Sequence, residues 1–152
     1  MSNPRPMFSQ LNIVSGDLAA SIDFYRRLGV MIPDNRVWRT ATGAHHASAS
    51  DVAGPAGFDF DLDSAVFATK WNEGWRGRQD LKGRVVVGFR VASRGEVDRL
   101  HAEMIVAGYR SLQVPYDAFW GARYAVVEDP NGVAVGLMSP RSADKRSVPP
   151  EV

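Results

Sequence analysis

The feature that most constrains the fold is a strand–helix pattern that the sequence contains twice. In the first copy, Leu11 and Ile13 alternate with polar residues, which is typical of a half-buried strand, and Asp17 stands where a helix N-cap is expected. A helical apolar stripe follows and a glycine ends it, at Leu18, Ile22, Tyr25, Leu28 and Gly29. The first copy therefore predicts a strand, a capped helix and a stop within 29 residues.

The second copy repeats these landmarks in the same order. A strand pattern covers residues 85–91, Ser93 and Glu96 have the spacing of a capping box, and a helical stripe ends at Gly108. The stripe consists of Val97, Leu100, Met104 and Ala107. Asp17 corresponds to Ser93 and Gly29 to Gly108, at offsets of 76 and 79 residues. The repeat indicates a duplicated module.

Short strand patterns follow each copy. They occupy residues 36–40, 45–50 and 58–63 after the first copy and 109–114, 122–127 and 133–138 after the second. The turn sequence Asp129-Pro130-Asn131-Gly132 predicts a hairpin between the last two. The predicted order is βαβββ, linker, βαβββ. Module one spans about 7–63, the linker 64–84 with a short helix at 66–72, module two about 85–139, and residues 140–152 form a flexible tail.

Composition excludes several classes of protein. The 152 residues are 45% apolar and 23% charged, which is typical of a globular domain rather than a disordered chain. A net charge of +1 argues against a nucleic-acid-binding or polybasic membrane protein. The absence of cysteine excludes disulfides, thiolate zinc sites and cysteine nucleophiles. Neither a signal peptide nor an apolar stretch of membrane-spanning length is found, so we predict a cytoplasmic protein with no membrane partner.

The order of elements and two local motifs resemble the vicinal oxygen chelate superfamily, which holds glyoxalase I, bleomycin-resistance proteins and extradiol dioxygenases. The motifs are Gly16-Asp17-Leu18 with Ser21, Phe24-Tyr25 and Leu28-Gly29, and Trp120-Gly121-Ala122-Arg123 with Glu128-Asp129-Pro130-Asn131-Gly132. The resemblance covers about residues 7–139. It implies an α+β fold and a single domain over 1–139, in which two βαβββ modules form a U-shaped, partly open sheet around a cavity with the helices outside. It also implies a homodimer.

The resemblance further implies a divalent metal held by His, Glu or Gln side chains from the first and last strands of each module. In module one these positions fall on Gln10 and on Asp59 or Asp61. In module two they fall on Val86 and Gly136, which have no side-chain donor atoms. We therefore predict no metal and no cofactor. A non-standard metal site that recruits His46 or the row of Asp59, Asp61 and Asp63 stays open as an alternative.

The remaining polar residues allow two interpretations each. Asp59, Asp61 and Asp63 share one face of a strand, and a solvated edge is favoured over a cavity-lining row. Arg90 has the parity to act as their counter-charge, in an ion pair or a catalytic pair. His45 is expected to be a solvated or hydrogen-bonded strand residue, and His46 is the one of the pair expected to face the cavity.

Aromatic residues cluster around a predicted loop that begins at Pro115, namely Tyr116, Phe119, Trp120 and Tyr124, and Trp38 adds another ring. An aromatic lining with a few polar groups is typical of a small-molecule pocket. The basic and aromatic residues of the linker are interpreted as a solvated loop rather than a nucleic-acid site.

The leading hypothesis is metal-independent binding or sequestration of a small aromatic or polar molecule, similar to the bleomycin-resistance branch. The predicted ligand-binding residues are Gln10, Asn12, Trp38, His46, Asp59, Asp61, Arg90, Tyr116, Phe119 and Trp120. The alternative is a lyase, isomerase or dioxygenase that uses a metal or an acid–base pair of Asp61 and Tyr124. A third hypothesis is an interaction protein with a degenerate pocket.

Overall fold

The computed structural model describes residues 10–50, 58–71 and 85–149. The chain divides into two compact units, Met1–Gly77 and Arg78–Val152. The boundary between the units falls inside the predicted linker. Most of that linker, residues 72–84, lies outside the described residues.

The described part of unit one contains a four-stranded open sheet and two α-helices. Its elements are β1 (Gln10–Ser15), α1 (Leu18–Arg27), a short 3-10 turn (Asp34–Arg36), β2 (Val37–Thr40), β3 (Gly43–Ser48), β4 (Asp59–Ser64) and α2 (Ala65–Trp71). The strand order is β1-β4-β3-β2. Strand β1 runs parallel to β4, and the other neighbours are antiparallel. The predicted βαβββ order of module one is confirmed.

Unit two repeats this topology. Its elements are β5 (Val86–Arg90), α3 (Arg94–Val106), β6 (Ser111–Asp117), β7 (Arg123–Glu128), β8 (Ala134–Met138) and a 3-10 turn (Ala143–Lys145). The order β5-β8-β7-β6 is the same as in unit one, again with a single parallel pair, β5 with β8. The predicted α+β fold with two equivalent modules is therefore confirmed.

Local signals in the sequence set the ends of the two long helices. The Asp17 carboxylate accepts a hydrogen bond from the Ala20 amide at 3.1 Å, and the Ser93 hydroxyl accepts one from the Glu96 amide at 3.3 Å. Gly29 and Gly108 follow the helices with φ of 86° and 97°, a conformation that favours glycine. Both predicted caps and both predicted stops are confirmed.

The core of unit one lies between α1 and one face of the sheet. Ile22 and Tyr25 of α1 are buried, as are Phe60 and Leu62 of β4, and the rings of Tyr25 and Phe60 lie 5.0 Å apart. Because side chains alternate along a strand, the residues between these apolar positions point to the opposite face of the sheet. That opposite face is where the polar residues of β1 and β4 lie.

The extent of one strand differs from the sequence-based expectation. Strand β6 extends to Asp117, so Pro115 and Tyr116 lie in a strand rather than in a loop. A register shift between Gln113 and Tyr116 on this strand accommodates the proline, which lacks the N–H that regular pairing needs.

Residues after Ser139 make backbone hydrogen bonds to an earlier loop, from Ser142 to Gly121 at 2.9 Å and from Ser147 to Phe119 at 3.0 Å. The flexibility of this tail stays a prediction.

None of the helices in the described part of the chain is of a length and apolar character that would let it cross a membrane.

Candidate functional site

A ladder of polar side chains crosses the face of the unit-one sheet that is turned away from α1. The Gln10 amide donates to the Asp61 carboxylate at 2.5 Å, and the Asn12 amide donates to the Asp63 carboxylate at 2.8 Å. Both bonds join the parallel neighbours β1 and β4. Gln10 lies directly opposite Asp59 and Asn12 directly opposite Asp61, so each amide bonds to the carboxylate two residues further along β4. The amides thus give the carboxylates partners inside their own sheet.

The predicted solvated edge for the aspartate row is wrong at two of its three positions. Strand β4 is an interior strand between β1 and β3, and Asp61 and Asp63 are only 7% and 3% exposed. Asp59 alone is exposed. Helix α2 packs against β1, β3 and β4 on the same sheet. Buried carboxylates require hydrogen-bond donors, since unpaired buried charge is costly.

His46 and Asp63 form a hydrogen-bonded pair. They lie directly opposite each other on β3 and β4, and Nδ1 of His46 is 2.5 Å from a carboxylate oxygen of Asp63. A carboxylate has only acceptor atoms, so Nδ1 carries the hydrogen of this bond. In a neutral imidazole the other nitrogen, Nε2, is then the acceptor. Asp63 therefore sets both the orientation and the tautomer of His46.

His45 has a different environment from His46. Its Nδ1 is 2.9 Å from the Ser64 hydroxyl, and its Nε2 is 2.7 Å from the Thr42 hydroxyl. The expectation of a hydrogen-bonded strand histidine is confirmed.

An open cleft of about 600 Å³ lies over this polar face. Trp38 of β2 and the α2 residues Phe67 and Trp71 supply its aromatic sides, and the rings of Trp38 and Phe67 lie 5.2 Å apart. Phe67 and Trp71 are four residues apart, which places them on the same side of the helix. The polar lining consists of Gln10, Asn12, His46 and Asp63. The arrangement can hold a flat apolar ring against groups that fix its orientation.

The structure brings together four of the predicted ligand-binding residues: Gln10, Asn12, Trp38 and His46. Asp61 is held by Gln10 beside them. Three lining residues were not among the predicted ligand-binding residues: Phe67, Trp71 and Asp63, the partner of His46. A signal for Phe67 and Trp71 was available, because they are four residues apart in a helix that was predicted at 66–72.

The other predicted aromatic residues lie in unit two and form a separate cluster. The ring of Trp120 is 5.1 Å from that of Phe119, 5.5 Å from that of Tyr124 and 6.4 Å from that of Tyr116. Burial raises the pKa of Tyr124 and the nearby Tyr116 adds to the rise, so this hydroxyl stays protonated at neutral pH. A pair of Asp61 with Tyr124 stays a prediction, as these residues belong to different units.

Arg90 is an exposed residue of β5, in unit two. Its predicted role as counter-charge to the aspartates stays a prediction. Asp61 and Asp63 already have hydrogen-bond partners within unit one.

The donor set does not fit the metal chelate that the family resemblance implies. Val86 is 53% exposed and apolar, and an added Cβ at Gly136 would lie 2.6 Å from the Tyr124 hydroxyl oxygen, so even a small side chain has no room there. In unit one the Gln10 amide and Asp61 are bonded to each other. Across residues 10–50, 58–71 and 85–149, no three or more His, Asp or Glu side chains converge as a metal site would need.

Comparison with known proteins identifies the family. The model of the Glyoxalase/Bleomycin resistance protein/Dioxygenase superfamily matches residues 8–137. The chain belongs to this superfamily. No curated protein matched the sequence.

Solved structures of the superfamily share the fold. A glyoxalase/bleomycin resistance protein/dioxygenase from Nocardioides has a TM-score of 0.67 at 23% identity, over 99% of this chain and 92% of the other. A family enzyme from Burkholderia phytofirmans PsJN has a TM-score of 0.68 at 18% identity, over 87% and 97%. A lactoylglutathione lyase from Agrobacterium tumefaciens has a TM-score of 0.61 at 15% identity, over 90% and 96%. At these identities the similarity establishes the fold of this superfamily member.

Proposed function

We propose that this superfamily member binds a small aromatic molecule, without a metal, in the unit-one cleft. The observation that carries the proposal is the combination of aromatic sides, from Trp38, Phe67 and Trp71, with a polar lining in which His46 and Asp63 are bonded to each other. Rings supply contact area at little conformational cost, and the polar groups select orientation.

The size and exposure of the cleft support this proposal. Its volume of about 600 Å³ lies within the range of small-molecule pockets, roughly 300–1,000 Å³. Trp38 is 49% exposed and Trp71 is also 49% exposed, although both are large apolar side chains. A bound ring would remove this apolar surface from water, which is favourable. The unit-two residues Arg90, Tyr116, Phe119 and Trp120 form no part of the proposal.

Tryptophan fluorescence tests the proposal directly. A library of small aromatic compounds is titrated into the protein, and a ligand of the cleft changes the emission of Trp38 and Trp71. Trp38→Ala is expected to weaken binding by about 1–3 kcal/mol, the range found for ring stacking on aromatic side chains in nucleic-acid sites. The matched control is Leu112→Ala, which removes a 40% exposed apolar side chain of unit two and should leave affinity unchanged. Equal affinities of both variants and the parent would contradict the cleft as the binding site.

The His46–Asp63 pair favours a second candidate function, acid–base catalysis in the same cleft. A histidine held in one tautomer by a carboxylate is an arrangement that enzymes use for proton transfer. Ligands recovered from the screen are incubated with the protein in heavy water, and loss of a carbon-bound hydrogen is followed by NMR. Exchange that requires the protein and disappears in His46→Phe would establish the enzyme. Binding without exchange for every ligand would favour the sequestration function.

A further inference from the structure

Two acceptor atoms on the neighbours of Asp63 have no hydrogen-bond partner in the described part of the chain. The first is Oδ1 of Asn12, which is buried. The Asn12 amide nitrogen donates to Asp63 at 2.8 Å. The carboxylate can only accept, so the amide orientation is determined and its oxygen is the free atom. A buried acceptor without a donor is uncommon and costs free energy.

The second acceptor is Nε2 of His46. Asp63 takes the hydrogen on Nδ1, which leaves Nε2 without a hydrogen in the neutral ring. The side chain is 35% exposed and lines the cleft, whereas Asp63 beneath it is 4% exposed. Nothing within residues 10–50, 58–71 and 85–149 donates a hydrogen bond to Nε2. His46 and Asn12 are thus both held by Asp63. The Asn12 oxygen is buried, whereas His46 lines the cleft with its acceptor atom unpaired.

From this geometry we infer that the molecule bound in the cleft is an aromatic compound with a hydrogen-bond donor, a hydroxyl or N–H group, that binds Nε2 of His46. This inference rests on the proposed function, and it adds the chemical class of the ligand. Asp63 is the positioning residue. It accepts hydrogen bonds from Nδ1 of His46 and from the Asn12 amide, so the acceptor atom of each of these side chains points away from Asp63. An aromatic compound whose polar groups only accept would leave Nε2 of His46 unpaired and would bind more weakly.

A matched pair of probes tests the inference, 2-naphthol and its methyl ether, 2-methoxynaphthalene. The two have the same ring system, and only the naphthol can donate a hydrogen bond. Affinities are measured by fluorescence at a pH at which the naphthol keeps its hydroxyl hydrogen. The parent protein is expected to bind the naphthol about ten-fold more tightly, the value of one well-made hydrogen bond.

Two variants connect this preference to the named atoms. His46→Phe keeps a flat ring and removes the acceptor, so the two probes should bind this variant with equal affinity. Asp63→Asn preserves the shape of the side chain. The amide oxygen still accepts from Asn12, so its NH2 group faces Nδ1 of His46 and the ring hydrogen moves to Nε2. Nε2 becomes a donor, which either probe's oxygen can satisfy, and the preference should again be lost.

Thermal unfolding is measured for each variant before titration, to confirm that it is folded. The two variants change different atoms, so if one of them does not fold, the other still tests the inference. Equal affinity of the parent for both probes would overturn the inference and leave the proposed function standing. A ten-fold preference that survives in a folded variant of either kind would also overturn it. Binding of neither probe would contradict the proposed function together with the inference.

Discussion

At the scale of single residues, Gly136 shows how a position can lose a metal-ligand role. It lies on β8 directly opposite Gly88 of β5, at the strand position where the family resemblance places a ligand. The Tyr124 side chain occupies the space in which a side chain of residue 136 would lie, with its hydroxyl oxygen 2.6 Å from an added Cβ. Restoring a ligand at this position therefore requires Tyr124 to move as well.

Gly136→Ala is expected to destabilise the protein by about 1–3 kcal/mol, because the added methyl group collides with the half-buried Tyr124 ring. Gly88→Ala is a matched control: it lies in the same register pair, and nothing approaches its added Cβ within 4 Å. That variant should be neutral or more stable by up to about 0.5 kcal/mol, since alanine restricts the unfolded chain. Denaturant unfolding measures both changes. Similar stabilities for the two variants would show that the Tyr124 side chain can move aside without a loss of stability.

At the scale of elements, α2 and α3 each place a titratable or aromatic group against a sheet. Helix α2 converts the polar face of unit one into a cleft. Helix α3 buries His101, which is 8% exposed and has Nε2 at 2.8 Å from the Ser111 hydroxyl of β6. Burial lowers the pKa of His101 below its ordinary value of 6.5, although nearby Asp98 acts in the opposite direction.

This shift predicts that α3 contributes to a loss of stability in mild acid. Between the lowered folded pKa and 6.5 the unfolded chain binds more protons than the folded one, so stability falls as the pH falls through that window. Melting temperatures are compared at about pH 8 and about pH 5 for the parent and for His101→Gln, an uncharged variant that retains a polar end for Ser111. The melting temperature of the parent should fall more between these two pH values than that of His101→Gln. An equal loss in both proteins would show that His101 does not contribute.

At the scale of the whole molecule, the donor set predicts that the protein contains no stoichiometric transition metal. Val86 and Gly136 have no donor atoms, and Gln10 and Asp61 bind each other. The protein is expressed with added zinc, nickel, iron and manganese and then purified, and its metal content is measured by elemental analysis. One equivalent of metal per chain, removed together with an activity, would contradict the prediction.

Homodimerisation is the second prediction at this scale. Each unit has an open sheet whose outer strands, β1 with β2 and β5 with β6, leave edges that proteins commonly cover by association. Sedimentation at micromolar concentration should give about twice the chain mass of 16.7 kDa. A single species at the mass of one chain would exclude the dimer over that range.

The sequence alone determined the order of elements, the helix caps and the equivalence of the two modules. Each of these depends on residues within a few positions of one another, as in the bond from Ala20 to Asp17. It also showed that Val86 and Gly136 cannot bind a metal, because this depends only on their chemistry.

Only the tertiary structure decided which polar and aromatic groups meet. Asn12 and Asp63 are 51 residues apart, and His46 and Asp63 are 17 apart, so their contacts depend on strand register. Sheet order placed Asp61 and Asp63 on an interior strand, where they are buried. The packing of α2 against the sheet decided that Phe67 and Trp71 line a cleft. Alternation along β4 is the same whether its polar face is solvated or covered, and for that reason the pattern of β4 alone could not reveal the site.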